Sequence, residues 1–192
     1  MTTAYNFDAK DIRRTFDDLP ENVISARTAE KFVFDVYREE IDYPLLFELF
    51  KEIVEEGQTY PQDTIDEKTF RQYFLSHNCF VFRLQESNKT VGGFYIKPNF
   101  PGRSSHLANF GMAIKSEYRG HGLGKLMVPR AIKYAKIVGY EALYTNLVFV
   151  TNPASVQVCK ENGFVEVGRL PRAGNLKGLG FTDALQLYRD LR

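Results

Sequence analysis

The run Tyr118-Arg119-Gly120-His121-Gly122-Leu123-Gly124-Lys125 constrains the fold more than any other stretch, because it stands where a strand hands over to a helix. Leu107 to Ile114 (LANFGMAI) reads as a strand, and Leu123, Leu126, Met127, Ala131, Tyr134, Ala135 and Val138 recur at helical spacing. The glycines therefore fall at a helix N-terminus. There the first amides lack intrahelical partners and the macrodipole ends positive, so an anion is stabilised without any side chain. Gly120, Gly122 and Gly124 let the backbone approach such an anion and turn successive amides inward, while Arg119 and Lys125 add positive charge at either end.

Two common phosphate motifs do not fit. A P-loop requires GxxxxGK followed by Ser or Thr, whereas Lys125 directly follows Gly124 and precedes Leu126. A dinucleotide fingerprint requires a third glycine where this chain has Met127. The pattern Arg-x-x-Gly-x-Gly, met by Arg119, Gly122 and Gly124, resembles motif A of the GNAT superfamily of acetyl-CoA-dependent N-acetyltransferases. In that family the loop amides hold the pyrophosphate of coenzyme A.

The order of elements agrees with the resemblance. Lys31 to Arg38 alternates like a first strand, and Pro44 opens an amphipathic run to Glu56 that Gly57 ends. A second helix starts near Thr64. Strands follow at Cys79 to Gln85 and Val91 to Lys97, joined through Ser87-Asn88-Lys89, and Pro98 to His106 is a loop. After the strand and helix around the glycines come a strand from Ala142 to Val150, a helix from Asn152 to Asn162, and strands at Phe164 to Arg169 and Ala184 to Tyr188. This reads β-α-α-β-β-β-α-β-α-β-β, which resembles the GNAT acyl-CoA N-acyltransferase fold: α/β (α+β), with a mixed sheet of about seven strands and four helices. Residues 1–30 are then an N-terminal extension and 31–192 the acetyltransferase domain. Pro129 removes a backbone donor inside the long helix and predicts a bend there.

At 192 residues and 44% hydrophobic content the chain supports one well-packed domain. A net charge of +1 with scattered charges gives no basic face for nucleic acid. No window reaches the length of a membrane span, and the N-terminus lacks an apolar signal core. Cys79 and Cys159 have no metal spacing and read as buried reduced thiols, which suits the cytoplasm, with nucleus and mitochondrion left open. The Phe- and Tyr-rich first half is either core or, by resemblance to dimeric relatives, a homodimer contact.

The resemblance implies a site. Coenzyme enters between Leu107 to Ile114 and Ala142 to Val150, which splay apart in the family. Met112, Ala113 and Ile114 line its pantetheine arm, the amides of Met112 and Ile114 pairing with it. The loop residues Arg119, Gly120, His121, Gly122, Leu123, Gly124 and Lys125 hold its pyrophosphate. The segments GQTYPQ, GGFYIKPNF, SSH, NLVFVTN and AGNLKG resemble the fungal N-acetyltransferases that detoxify azetidine-2-carboxylate and act on related proline analogues such as cis-4-hydroxyproline. That likeness makes Asn109 and Asn146 candidates for binding an amino-acid carboxylate, with the amide of Leu147 adjacent, and places Asn152 near the coenzyme. These three asparagines are the candidate catalytic residues. Asn152 also reads as a helix cap followed by Pro153, and the two roles coexist.

The proton route is open. No Asp or Glu lies between Leu107 and Lys115, and Cys159 stands where many superfamily members place a Tyr. His106 and His77 are either bases or ordinary loop histidines, and His121 faces solvent or phosphate. The resemblance implies a small amino acid as acceptor, with polyamines, antibiotics and peptide N-termini as alternatives, and a non-catalytic acyl-CoA sensor as a further one.

Overall fold

The computed structural model describes residues 15–192. One sheet of eight strands, ordered β1-β2-β3-β4-β5-β6-β8-β7, organises them. The strands are β1 (Glu21–Ile24), β2 (Lys31–Val36), β3 (Asn78–Leu84), β4 (Thr90–Pro98), β5 (Leu107–Ile114), β6 (Ala142–Phe149), β7 (Val165–Leu176) and β8 (Gly180–Asp190). The helices are α1 (Glu39–Glu56), α2 (Glu67–Phe74), α3 (Leu123–Ile137) and α4 (Pro153–Glu161). All neighbouring strands are antiparallel except β5 and β6, which α3 connects as a crossover.

The apolar pattern places helices on both faces. Leu123, Met127, Val128, Ala131 and Tyr134 of α3 pack with Val158 and Cys159 of α4 on one face. On the other, Leu46, Leu49, Phe50 and Ile53 of α1 and Phe70 and Phe74 of α2 cover Cys79, Val81, Tyr95 and Ala113. The aromatic residues of the first half therefore lie largely in the core; Phe34 and Phe80, for example, are fully buried and stacked.

Four expectations change. Glu21–Ile24 adds a strand ahead of the expected first one; four residues with a single buried side chain, Val23, carry no readable periodicity. Helix α1 begins at Glu39, so Pro44 lies within it rather than opening it; Glu39, Glu40 and Asp42 supply the acidic first turn. Strands β7 and β8 extend well past their expected ends because much of β7 is exposed on both faces and shows no alternation. Finally, the sheet has eight strands rather than about seven, and Pro129 lies exposed inside the continuous helix α3.

Candidate active site

The site begins where β5 and β6 part. They pair only from Leu107 with Ala142 to Asn109 with Tyr144. Beyond Tyr144, β6 loses register with β8 between Thr145 and Val148, which puts Asn146 and Leu147 on a β-bulge. On β5, the Lys115 amide donates to Val91 O at one end of the ladder, and the Asn99 amide of the β4–β5 loop donates to Leu107 O at the other. Odd-numbered residues therefore exchange bonds with β4, and the N–H groups of Met112 and Ile114 turn toward the gap left by β6. Their carbonyls are occupied, by the Tyr60 hydroxyl at 2.9 Å and by Arg119 Nε at 3.2 Å. Ala113 alternates the other way, with its amide toward β4 and its methyl buried beneath α1.

The gap opens toward the glycine loop. Gly120 and Gly122 have φ of +78° and +88°, a conformation L side chains rarely adopt. Within the described residues the amides of Gly120, Gly122, Leu123 and Gly124 donate to no carbonyl, while Lys125 and Leu126 already bond Gly122 O. A side chain at Gly120 or Gly124 would meet only open space, so an anion has room to approach the amides. The flanking charges are already engaged: Arg119 pairs with Glu56 at 2.8 Å and Lys125 with Glu161 at 3.2 Å. His121 is held by Glu30 at 2.9 Å, and its carbonyl accepts from Ser25 Oγ at 2.5 Å. Part of the segment ahead of residue 31 thus props the loop; residues 1–14 of that segment lie outside the described residues.

Asn109 occupies the point of divergence. It is 8% exposed; its Oδ1 accepts from the Tyr95 hydroxyl at 3.0 Å and its Nδ2 donates to Tyr144 O at 3.0 Å, tying β5 to β6 at their last paired position. Tyr95 reaches it by crossing β5 over Gly111, where a Cβ would lie 2.6 Å from the hydroxyl oxygen. Asn146 is exposed, and its Nδ2 donates to Asn99 Oδ1 at 2.5 Å. Asn152 caps α4, accepting from the Ser155 amide at 3.2 Å.

Sequence reasoning missed Lys97. It opposes Asn109 across the β4–β5 ladder, so Lys97, Asn109 and Tyr144 form one row across three strands. Only 5% exposed, Lys97 donates to Tyr73 O at 2.6 Å and lies 3.9 Å and 4.4 Å from the ring centres of Tyr73 and Tyr95. No carboxylate among the described residues pairs with it, and burial pushes its pKa down to about 7. The available signal was a lysine inside the apolar run VGGFYIK, which periodicity assigns to a strand end.

Comparison with known proteins decides the family. Residues 43–164 match the acetyltransferase (GNAT) family. The chain is a GNAT acetyltransferase. It is 32% identical to N-acetyltransferase aca1 of Schizosaccharomyces pombe over 149 residues, covering 68% of this chain and 71% of that one. It is 30% identical to a spermidine N(1)-acetyltransferase of Vibrio cholerae over 110 residues, covering 56% and 61%. Among solved structures, a GCN5-related N-acetyltransferase from Kribbella flavida superposes with a TM-score of 0.78 at 24% identity, covering 83% of this chain and 98% of that one. A phosphinothricin acetyltransferase from Sinorhizobium meliloti, solved with acetyl-CoA, gives 0.73 at 17% identity, covering 83% and 88%.

Acetyl-CoA is the co-substrate of this GNAT enzyme, and the loop amides that donate to no carbonyl, with the strand gap, fit its pyrophosphate and pantetheine arm. Bound there, it supplies an activated acetyl thioester. The remaining sequence candidates lie apart from one another. His106 is exposed at the closed end of β5, beyond Asn109. His77 is held near pKa 4 by burial and by Lys97, too weak a base for an amine. Cys159 is buried in the α4 core face with its thiol pushed up to about 12, so it is a packing residue. On the α1–α2 face, Tyr60, Gln62, Asp63, Phe149 and Leu176 help line a cavity of about 720 Å³, and the Tyr60 hydroxyl reaches Met112 O on β5.

Proposed function

We propose that this N-acetyltransferase acts on the amine of a small amino acid, with cyclic proline analogues such as azetidine-2-carboxylate and cis-4-hydroxyproline as its acceptors, by direct transfer in a ternary complex. The observation that carries this reading is the polar row at the strand divergence. Asn109, Asn146 and the bulged amide of Leu147 bring neutral donors to one end of the gap, and no carboxylate stands among them. Neutral amides suit a carboxylate because they supply hydrogen bonds without the desolvation cost of a further charge. In this reading the amides of Met112 and Ile114 hold the pantetheine arm, and the loop from Arg119 to Lys125, with Asn152 close by, holds the pyrophosphate. The carboxylate would replace the bond of Asn146 to Asn99, and would share the Asn109 Nδ2 donor with Tyr144 O while Tyr95 holds Oδ1.

A second reading has one observation in its favour. Glu55 and Asp63 lie at the wall of the 720 Å³ cavity, and they would attract a polycationic acceptor such as spermidine. A panel of azetidine-2-carboxylate, cis-4-hydroxyproline, spermidine and a short peptide with a free N-terminus, read by thiol release from acetyl-CoA, separates the two. Release with the cyclic amino acids and not with spermidine supports the first reading. Spermidine-dependent release alone, or none above background with either amino acid, overturns it. Asn146→Ala is expected to lower kcat/KM for the amino acid by about 10-fold or more, as for a lost charge-assisted bond.

A further inference from the structure

We propose that Lys97 is the base that takes the proton from the acceptor's ammonium group, an assignment that rests on the reading in which the acceptor lies beside Asn109. Four observations lead there. Lys97 shares a cross-strand position with Asn109, at the row where β5 and β6 begin to separate. Its amine is almost wholly buried and has no carboxylate partner among the described residues, which an ammonium kept only for stability would need. The other groups packed around it are Tyr73 from α2, His77 from the turn before β3, and Tyr95 from its own strand, with Asn109 opposite; none is acidic. And the other candidates are poorly placed among the described residues: β5 carries no acid, His106 is at the closed end of the strand, Cys159 faces the core, and Glu55 and Asp63 line the cavity at the end of α1 rather than the row of Asn109.

The reaction sets the requirement. A secondary amine with a pKa near 10 binds mainly as its ammonium, which has no lone pair to attack with. In the first step its N–H bond breaks and the proton moves to the Nζ lone pair of Lys97, through one water, leaving the electron pair on the acceptor nitrogen. That nitrogen then bonds to the thioester carbonyl carbon. As the C–S bond breaks, the second N–H proton passes to the departing sulfur, giving the N-acetyl product, the free thiol and a protonated Lys97. Lys97 returns its proton to solvent when products leave. The sequence needs no separate acid, which agrees with the buried Cys159 in α4. Burial supports the role, because an amine held near pKa 7 is substantially neutral at physiological pH.

The test uses the full-length enzyme and whichever amine the panel returns, so failure of the amino-acid reading leaves it intact. Lys97→Met should lower kcat/KM at pH 7.5 by about 10²-fold or more, with the deficit shrinking as pH approaches that of the free amine's own deprotonation. Lys97→Arg, which keeps the charge but cannot release a proton, should show the same deficit. Independently of turnover, the ¹³Cε signal of Lys97 in the free enzyme should titrate near neutral pH. A deficit equal at all pH values, a rise in KM confined to carboxylate-bearing acceptors, full activity of Lys97→Arg, or a Lys97 signal that titrates only above pH 9 would each overturn the assignment.

Discussion

Two cations are buried in neighbouring strands, Arg83 in β3 and Lys97 in β4, and their surroundings are opposite. Arg83 is 2% exposed and saturated: Nε and Nη2 grip the two oxygens of Asp42 at 2.8 and 2.6 Å, and Nη1 reaches Asp35 at 2.9 Å. Asp42 in turn accepts from Thr90 Oγ1 at 2.6 Å and from the Arg38 amide at 2.7 Å, so the network clamps the start of α1 onto β3 and β4. Lys97 has only a carbonyl and two aromatic faces. A charge that serves the fold is neutralised where it is buried; one that is left without a counter-ion costs stability and is kept for what it does.

The largest effect should come from breaking the saturated member. Asp42→Ala strips the buried Arg83 guanidinium of two of its four hydrogen bonds and removes the acceptor of the Arg38 amide at the start of α1. A loss of about 3–5 kcal/mol is expected, read from urea unfolding. A loss under about 1 kcal/mol would mean that the network behaves like a surface ion pair.

Lys97 should respond with the opposite sign. Its pKa is pushed down to about 7 by burial, whereas an unfolded lysine sits near 10.4. Between those values the unfolded chain carries the additional proton, so this residue's contribution to stability is complete above the unfolded value. It is lost as pH falls toward 7, by up to about 1.4 kcal/mol per pH unit. Lys97→Met lacks that dependence. Relative to wild type, the variant should be better placed at pH 7 than at pH 9 by about 2–3 kcal/mol. An offset between the two proteins that does not move with pH would show that Lys97 stays protonated in the folded state.

The same contrast explains what could be read from the sequence. Strand β5 and the start of α3 stand at their predicted positions because apolar periodicity and loop glycines are local signals. The Asn152 cap is equally local. Lys97, Tyr95 and Tyr73 escaped because their meaning arises only when α2 folds over β4, from residues 22 positions apart. The Asp42–Arg83 pair, 41 positions apart, escaped for the same reason. Strand β1 and the extended hairpin end of β7 and β8 are not legible in the sequence because an exposed edge strand and an exposed hairpin tip place little demand on side-chain type. The coenzyme half of the proposed site is thus written in backbone and glycines, and its proposed acceptor half in long-range side-chain pairs.

The smallest effect tests whether burial, rather than bonding as such, separates the two cations. Asn152 makes a cap bond to the Ser155 amide at the half-buried start of α4. Removing its side chain in Asn152→Ala frees an amide that water can reach, so the cost should be only about 1 kcal/mol, well below that of Asp42→Ala. Asn152→Asp, which keeps the acceptor and adds a charge favoured by the helix N-terminus, should restore thermal stability. If the alanine variant instead lost as much as Asp42→Ala, the Ser155 amide would have to be shut off from solvent. Depth of burial would then cease to account for the difference between a bond that can be exchanged with water and a charge that cannot.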